Sequence, residues 1–297
     1  MKVLFLGCGY LGHNLSAILA KDFDVQMLGI ISPYTSCTDH FTEVDVFEPS
    51  EMKKIDLKDA VVIDTVSLIS NSAVADDEQL ALAPILNKYK TLFRILKEGG
   101  AKRYIFLSSG GTIYGNSLYP IDEGHLLDPK TLYAKSKTAI EEMIQNSALD
   151  YLIIRAANPY GGYQLTDKKQ GVIPILIEKA LKHEPFEMWV NSDSIRDYIY
   201  IDDFARALSL LIEKDISREI VNLASGTGTP LSRVIELVEE KTGQKIEIHH
   251  KCSDVEVIRS IVLSIDKLNA LTGFKPTVSL EQGIAKEVIR MTKENER

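Results

Sequence analysis

The amino-acid sequence predicts an α/β fold in which a doubly wound parallel sheet is joined by a smaller α/β part towards the C-terminus. Short β-like runs alternate with amphipathic helix-like runs through the first half of the chain, and this regularity stops near residue 155. The length of 297 residues is also more than a single hydrophobic core usually accommodates. The strands predicted for the parallel sheet are residues 2–6, 24–28, 60–65, 103–107 and 151–155.

Helices are predicted between these strands. Leu11 and Leu15 are four residues apart and mark the apolar face of a first helix. A longer helix covers residues 86–96, and the Gly-Gly pair at 99–100 ends it. Strand and helix therefore alternate as parallel β-α-β units require.

The second half of the chain has a different character. Residues 158–194 are rich in Pro, Gly and polar side chains and contain one helical stretch, at 173–181. We interpret this region as part of a second domain, after which a strand at 198–201 returns the chain to the main sheet. The elements expected beyond it are a helix at 202–212, a strand at 219–223, a helix from Pro230, a strand at 245–249 and a terminal helix from Ser279.

Composition and charge restrict the function and the compartment. The formal charge is −8, from 34 basic and 42 acidic residues, and the basic residues form no stripe that would neutralise nucleic-acid phosphates. Three widely spaced cysteines indicate neither a disulfide framework nor a zinc site, so we assign no metal and expect a reducing compartment. The first apolar run is too short for a signal sequence or a membrane span. We therefore expect a soluble, cytoplasmic protein without a nucleic-acid or membrane partner.

The first motif with chemical content is Gly-Cys-Gly-Tyr-Leu-Gly at residues 7–12, which follows the first strand and opens the first helix. Its glycines permit a tight turn and a close approach of pyrophosphate to the backbone, and the helix N-terminus offers N–H groups to the anion. A glycine-rich turn without a ligand is the alternative. The context of strand, turn and helix favours a dinucleotide, and the residues predicted to hold it are Gly7, Gly9, Tyr10, Leu11 and Gly12.

The sequence leaves the form of the dinucleotide open. An acidic residue that binds the ribose 2′-hydroxyl of NAD is expected about twenty residues after the motif. Gly29 and Ile30 stand there, and no Arg or Lys follows within residues 31–36 to bind the 2′-phosphate of NADP. Asp45 could approach the adenine, or it could be an exposed acid at a strand end. We predict NAD and leave NADP open.

The second motif is a tyrosine and a lysine one helical turn apart, Tyr133 and Lys137. Residues at i and i+4 share a helix face, so the ammonium can lower the pKa of the phenol and can also hold the nicotinamide ribose. A phenol near pH 10 is otherwise a poor base at neutral pH. Such a pair also occurs by chance, and an exposed helical pair is the alternative.

A hydroxyl-rich loop precedes this pair. Residues 107–115 read Leu-Ser-Ser-Gly-Gly-Thr-Ile-Tyr-Gly and follow a predicted strand, which places hydroxyl groups at the carboxyl edge of a parallel sheet. Ligands of doubly wound folds bind at this edge. The glycine motif, the hydroxyl loop and the Tyr/Lys pair, in this order, form a specific combination.

With these motifs the sequence resembles the extended short-chain dehydrogenase/reductase family, in particular its nucleotide-sugar epimerases and dehydratases. Three further segments carry the resemblance: Arg-Ala-Ala-Asn-Pro-Tyr-Gly at 155–161, Gln-Gly-Val-Ile-Pro at 170–174 and Ile-Arg-Asp-Tyr-Ile-Tyr-Ile-Asp-Asp at 195–203. The resemblance implies a Rossmann domain, here residues 1–157 and 196–224, and a discontinuous substrate-binding domain of residues 158–195 and 225–297.

The resemblance also implies roles for individual residues. Tyr133 would be the acid/base, and Lys137 would be its partner and a ligand of the ribose. Asn158 and Arg196 would contact the diphosphate of a sugar nucleotide, a task that suits a planar guanidinium; a surface ion pair with Asp197 is the alternative for Arg196. The other residues implied at the substrate are Gly171, Val172 and Lys251.

The sequence departs from the family pattern at Gly110, where relatives carry a Ser or Thr hydroxyl that binds the sugar oxygen. Ser109 or Thr112 would have to supply this hydroxyl, and we include both among the catalytic residues. The dehydratases of the family place an Asp-Glu pair after that hydroxyl, whereas this loop continues Gly-Gly-Thr. Dehydration is therefore disfavoured.

Three functions remain open on the sequence. The first is a nucleoside-diphosphate-sugar 4-epimerase that forms a transient 4-keto sugar with a bound nicotinamide cofactor. The second is an NAD(P)H-dependent reductase of a 4-keto-sugar nucleotide. The third is a non-catalytic dinucleotide-binding regulator, since a fold alone does not confer activity. The resemblance also implies a homodimer in which the helices around 80–96 and 133–144 form a shared bundle.

Overall fold

The structure is a computed structural model, and it describes residues 1–30, 40–164, 171–189, 193–251 and 259–295. The segment 31–36, considered above for a 2′-phosphate, lies outside these residues, and so does Gln170. The strands are β1 (Lys2–Leu6), β2 (Asp24–Gly29), β3 (Phe41–Glu43), β4 (Val61–Asp64), β5 (Arg103–Ser109), β6 (Tyr151–Ala156), β7 (Asn158–Tyr160), β8 (Phe186–Met188), β9 (Ile195–Tyr200), β10 (Glu219–Leu223), β11 (Gly228–Pro230), β12 (Ile248–His250) and β13 (Ser260–Ile261).

The helices alternate with these strands, and side chains cap several of their N-termini. The Asp77 carboxylate accepts the N–H of Leu80, and the Thr131 hydroxyl accepts the N–H of Ala134. The helices are α1 (Tyr10–Leu19), α2 (Pro49–Met52), α3 (Glu78–Glu98), α4 (Gly110–Ile113), α5 (Leu132–Gln145), α6 (Val172–Lys182), α7 (Ile201–Glu213), α8 (Leu231–Thr242), α9 (Asp266–Thr272) and α10 (Leu280–Asn295).

The main sheet has seven strands in the order β10-β6-β5-β4-β1-β2-β3. The pairings that join β1, β2, β3, β4, β5 and β6 are parallel. The five strands predicted for this sheet all form, within two residues of their expected ends, and the predicted doubly wound fold is confirmed. Buried side chains fill both faces of β4 and nearly all of β5, which is typical of a parallel sheet covered by helices on both sides.

By its internal contacts the chain divides into two compact units. The first unit consists of Met1–Tyr114, Leu126–Ala156 and Leu208–Val221. Aromatic side chains of α3 and β5 pack in its core. The ring centroids of Tyr104 and Phe106 are 6.4 Å apart in a stacked arrangement, and the Tyr89 ring is edge-on to that of Phe106. The second unit consists of Gly115–His125, Ala157–Ala207 and Asn222–Arg297.

The second unit has a four-stranded sheet of its own, in which β9 pairs with β11, β13 and β7. The expectation that a strand at 198–201 rejoins the main sheet is therefore wrong. In the main sheet β10 occupies the position beside β6, so β9 pairs with β7 instead, and residue 201 already begins α7.

The strand expected at 245–249 begins later than predicted, and β12 pairs in parallel with β8 in a separate two-stranded sheet. The N–H of Ile246 donates to the carboxylate of Glu239 on α8, so this residue is held by a helix side chain and not by a strand ladder. Across the described residues, no helix combines the length and the apolar composition needed to cross a membrane.

Candidate functional site

The glycine motif forms a tight turn between β1 and α1. Gly7 has a φ of +91°, and its N–H donates to the carbonyl oxygen of Leu28 at 2.8 Å. A Cβ at Gly12 would lie 2.0 Å from the carbonyl oxygen of Gly7, so the turn and the helix can approach this closely only without a side chain at position 12. Thr65 follows β4 and stabilises the turn, because its hydroxyl donates hydrogen bonds to the carbonyl oxygens of Leu6 and Gly7.

The space in front of the turn fits a pyrophosphate. A Cβ at Gly9 would meet no atom within 4 Å, in contrast to Gly12. Gly9 is also the N-cap of α1, where no side chain caps the helix and no acidic residue stands in the first turn. The N-terminal N–H groups of α1, those of Tyr10 and Leu11 included, therefore border a site suited to an anion.

The end of β2 carries no acid. Gly29 stands there, aligned with Glu43 of β3, and a Cβ at Gly29 would lie 3.0 Å from the Sγ atom of Cys8. Asp45 follows β3 and is half-buried; its carboxylate accepts the N–H of Phe47 at 2.9 Å. The predicted contact of Asp45 with the adenine remains a prediction.

The Tyr/Lys pair lies near the start of α5, which packs against β5. Lys137 is buried, and its Nζ atom donates to the carbonyl oxygen of Leu107 at 2.9 Å. The same atom lies 4.5 Å from the centre of the Phe106 ring and 5.8 Å from that of Tyr133. The two side chains therefore face the carboxyl end of β5 together, and the alternative of an exposed helical pair is wrong for Lys137.

A chain of hydrogen bonds links the Tyr133 phenol to two hydroxyl groups. The Ser109 hydroxyl forms a hydrogen bond with Tyr133, and the Thr112 hydroxyl donates to the Ser109 Oγ atom at 2.9 Å. Gly110 begins α4 and contributes no side chain. Of the two hydroxyls predicted to replace the family's Ser or Thr, Ser109 is thus the one that contacts the phenol. Thr112 contacts Ser109.

The environment shifts the pKa values of both groups. Burial raises the pKa of Tyr133, and the hydrogen bond with Ser109 lowers it. Burial lowers the pKa of Lys137 to about 8, against the opposing effect of the carboxylates of Asp64 and Glu141. Lys137 is therefore still mostly charged near neutral pH, and its ammonium favours the ionised phenol beside it.

Buried carboxylates surround this pair, and sequence reasoning missed them. Asp64 ends β4 and accepts the Tyr104 hydroxyl at 2.5 Å. Glu141, one turn beyond Lys137 on α5, forms a buried ion pair with Arg155 at 2.7 Å. The i+4 spacing from Lys137 could have indicated Glu141, whereas the position of Asp64 depends on the pairing of β4 with β5.

The substrate residues implied by the resemblance lie in the second unit. Asn158 of β7 is aligned with Tyr198 of β9, and Arg196 stands two residues before Tyr198, so the three side chains share one face of the sheet. The Asn158 amide donates to the carbonyl oxygen of Asp197 at 2.8 Å. Burial lowers the pKa of Arg196. The structure thus brings Asn158 and Arg196 together.

Asp197 is buried, and its carboxylate accepts hydrogen bonds from Ser225 and Gly226. Neighbouring residues of a strand point to opposite faces of the sheet, so this carboxylate lies on the face away from Arg196. The alternative of a surface ion pair between Arg196 and Asp197 is therefore wrong.

The remaining implied substrate residues lie elsewhere in the second unit. Gly171 has a φ of +83° and is the N-cap of α6, which begins at Val172. Lys251 follows β12, and its Nζ atom lies 3.5 Å from the carboxylate of Glu187 on β8. Lys251 thus belongs to the two-stranded sheet and not to the sheet that carries Arg196.

Proteins similar to this chain are known from several organisms. A putative UDP-glucose 4-epimerase of Methanocaldococcus jannaschii is 30% identical over 98% of this chain and 98% of its own length. A dTDP-4-dehydro-6-deoxyglucose reductase of Escherichia coli is 36% identical over 65% of this chain, and the match spans 63% of that reductase.

The fold is shared with solved structures. The crystal structure of Thermus thermophilus UDP-glucose 4-epimerase in complex with NAD is 25% identical, covers 98% of this chain and 99% of that one, and superposes with a TM-score of 0.84. Residues 3–224 match the family described as the NAD dependent epimerase/dehydratase family. These residues include the glycine turn, the hydroxyl loop and the Tyr/Lys pair. On the strength of this match, the chain belongs to the NAD dependent epimerase/dehydratase family.

Proposed function

We propose that this protein is a nucleoside-diphosphate-sugar 4-epimerase that uses bound NAD. The observation that carries the proposal is the arrangement at the end of β5, where the Tyr133 phenol is hydrogen-bonded to Ser109 and lies beside the buried Lys137 ammonium. This arrangement lies in the same unit as the glycine turn that fits a pyrophosphate. A phenol poised in this way is suited to take a proton from a sugar hydroxyl and to return it.

In this reaction the protein's own residues transfer a proton and orient the group that transfers it. A bound nicotinamide would supply a reversible hydride acceptor for the sugar carbon, and the glycine turn around Gly9 would hold the pyrophosphate of that cofactor. Tyr133 removes the proton of the 4-hydroxyl in the first half and donates it in the second. Lys137 stabilises the phenolate, and Ser109 with Thr112 keeps the phenol oriented.

The sugar nucleotide is proposed to bind through its diphosphate in the second unit. Arg196 and Asn158 share a sheet face, and a half-buried guanidinium binds phosphate oxygens more strongly than an exposed one. Gly171 and Val172, at the N-terminus of α6, are proposed as further contacts. Lys251 is a weaker candidate because it is exposed and lies beside Glu187.

Reduction of a 4-keto-sugar nucleotide is the second candidate. The relative with the higher sequence identity of the two described above is a reductase, and the same Tyr133 and Lys137 would serve it. The absence of an acid at Gly29 also leaves the use of NADP open. A reductase would release its cofactor in every turnover, whereas an epimerase retains it.

Two measurements decide between the candidates. Mass spectrometry of ligands released from freshly purified protein should detect NAD, and the protein should interconvert UDP-glucose and UDP-galactose without net change in nicotinamide absorbance. Stoichiometric consumption of NADH or NADPH with a 4-keto sugar, without interconversion, would establish the reductase instead. Cofactor binding that is indifferent to Tyr133→Phe, with no turnover of any sugar nucleotide, would establish a non-catalytic regulator.

We also propose a homodimer in the cytoplasm. Leu80, in the first turn of α3, is 73% exposed, and α3 packs beside α5, which makes these two helices the proposed contact between subunits. Light scattering should give twice the chain mass, and Leu80→Glu should shift it towards the monomer. The low cysteine content supports a reducing compartment.

A further inference from the structure

The Asp64 carboxylate is buried near Lys137 of the Tyr/Lys pair. We propose that Asp64 is a positioning residue for Lys137, whose carboxylate supplies the countercharge that holds the Lys137 ammonium in its charged form beside Tyr133. This inference rests on the proposed function, because it concerns the same acid/base group.

Neutral donors hold the Asp64 carboxylate in place. Asp64 is fully buried, and one of its oxygens accepts the Tyr104 hydroxyl at 2.5 Å. The other oxygen accepts the N–H of Val66 at 2.8 Å, and the Tyr89 hydroxyl is also hydrogen-bonded to the carboxylate. Burial raises the pKa of Asp64, and these donors, together with the Lys137 ammonium, act against that rise by stabilising the ionised carboxylate.

Lys137 lies on the same face of the sheet as this carboxylate. Asp64 of β4 is aligned with Phe106 of β5, so their side chains share one face, and the Lys137 Nζ atom lies 4.5 Å from the Phe106 ring. Tyr89 and Lys137 also line one small pocket between α3, α5 and the segment after β4. The carboxylate and the ammonium are therefore neighbours around Phe106 in a region of low dielectric, where opposite charges interact strongly.

The charged groups that face Lys137 come from two elements. Asp64 approaches from β4, and Glu141 from its own helix α5; the ionisable phenols of Tyr133 and Tyr89 complete the surroundings. Glu141 already binds Arg155 through three hydrogen bonds, which offsets its charge. Asp64 is thus the main source of negative potential available to Lys137.

The charge of Lys137 at working pH depends on the Asp64 carboxylate. Burial lowers this pKa to about 8, and the Asp64 carboxylate is the largest effect opposing a further fall. Without that carboxylate, a larger part of Lys137 would be neutral at working pH, and its influence on the Tyr133 phenol would be lost. Asp64 therefore acts through Lys137 and needs no contact with the substrate.

The test compares pH profiles. Asp64→Asn is nearly isosteric and removes the charge; we expect the alkaline limb of turnover to move at least about one pH unit lower, with turnover near pH 8 reduced about tenfold. The titration of Lys137, followed by ¹⁵N NMR of its Nζ atom in cofactor-free protein, should move in the same direction. Asp150→Asn is the control, since it makes the same change at a carboxylate that precedes β6 and is paired with Arg103 of β5.

An Asp64→Asn protein whose Lys137 signal and alkaline limb stay at the wild-type pH would overturn the inference. If this variant does not fold, Lys137→Met supplies the reciprocal measurement, in which the ¹³C carboxyl signal of Asp64 must titrate at a higher pH than in the wild type. An unchanged titration overturns the inference there too. Full turnover by Lys137→Met would instead overturn the proposed function, so the two failures are distinguishable.

Discussion

The Nζ atom of Lys137 lies 5.8 Å from the centre of the Tyr133 ring, and the carbonyl oxygen of Leu107 holds it there at 2.9 Å. The ammonium is therefore fixed by the backbone of β5 and not by the phenol whose ionisation it assists. This separation means that a change at Tyr133 can remove the chemistry without disturbing the lysine.

Tyr133→Phe should lower turnover of the sugar nucleotide by about 10²–10⁴-fold, since it removes the acid/base group and little else. NAD affinity and the melting temperature should stay near their wild-type values, because Lys137 keeps its bond to Leu107. Steady-state kinetics and calorimetry test this. Tyr151→Phe, at the start of β6, is the control and should retain activity; retained turnover in Tyr133→Phe would exclude the assigned role.

Stability should depend on pH through Lys137. The folded protein loses this proton near pH 8, and the unfolded chain loses it near pH 10, so between these values the unfolded state binds more protons. A difference of this sign makes the free energy of unfolding rise with pH across the window. Urea titrations of cofactor-free protein between pH 7 and 10 should show the rise, and Lys137→Met should lack it. If the free energy of unfolding rose equally with pH in both proteins, the lowered pKa of the buried Lys137 would be contradicted.

The glycine turn offers a matched pair of substitutions. Gly9→Ala places a methyl group in open space, so the protein should fold normally but lose NAD affinity at least about tenfold, because the methyl group occupies the pyrophosphate position. Gly12→Ala brings Cβ against the Gly7 carbonyl and should cost about 1–3 kcal/mol of stability. Thermal unfolding and fluorescence titration with NAD separate the two effects. Equal behaviour of the two variants would exclude the turn as the anion site.

Local spacing explains why this part of the site could be predicted. The glycine motif and the Tyr/Lys pair each lie within six consecutive residues, and the helix geometry of α5 alone places Tyr133 and Lys137 on one face. The apolar runs of β1 and β5 likewise indicated the main sheet. Interactions within a short segment are thus visible in the sequence.

Residues that meet through long-range pairing were not predictable in this way. Asp64 and Tyr104 are 40 residues apart and meet only because β4 pairs with β5. The position of β9 depended on β10 occupying the place beside β6, which no local pattern shows. Lys251 was selected by resemblance alone, and its place beside Glu187 follows from the pairing of β12 with β8.

Arg196→Gln should weaken binding of a UDP-sugar and leave NAD binding unchanged. A charge-assisted hydrogen bond to phosphate contributes about 1.5–3 kcal/mol, so the dissociation constant should rise roughly 10- to 150-fold. Arg196→Lys should recover only part of the affinity, because an ammonium cannot bind two phosphate oxygens in the manner of a guanidinium. Calorimetric titration measures both. Arg233→Gln, at an exposed arginine of α8 paired with Glu236, is the control, and an equal loss there would argue against a specific role.

Glu141 and Arg155 form a buried ion pair whose two charges should depend on each other for stability. Both side chains are at most 5% exposed, and the second terminal nitrogen of the guanidinium donates to the Tyr114 hydroxyl at 2.9 Å. Glu141→Gln leaves the arginine charge buried without its countercharge and should cost about 3–5 kcal/mol of stability, whereas Glu142→Gln at the exposed neighbour should cost less than about 0.5 kcal/mol.

Removal of both charges should be less harmful than removal of one. In the double variant Glu141→Leu with Arg155→Met, the desolvation cost of both ions disappears, so most of the stability lost in Glu141→Gln should return. Urea unfolding of Glu141→Leu, of Arg155→Met and of the double variant closes a double-mutant cycle and gives the interaction energy directly. If the double variant were as unstable as the sum of its parts, the pair would contribute nothing as a pair, and the buried charges around Lys137 would have to be balanced in another way.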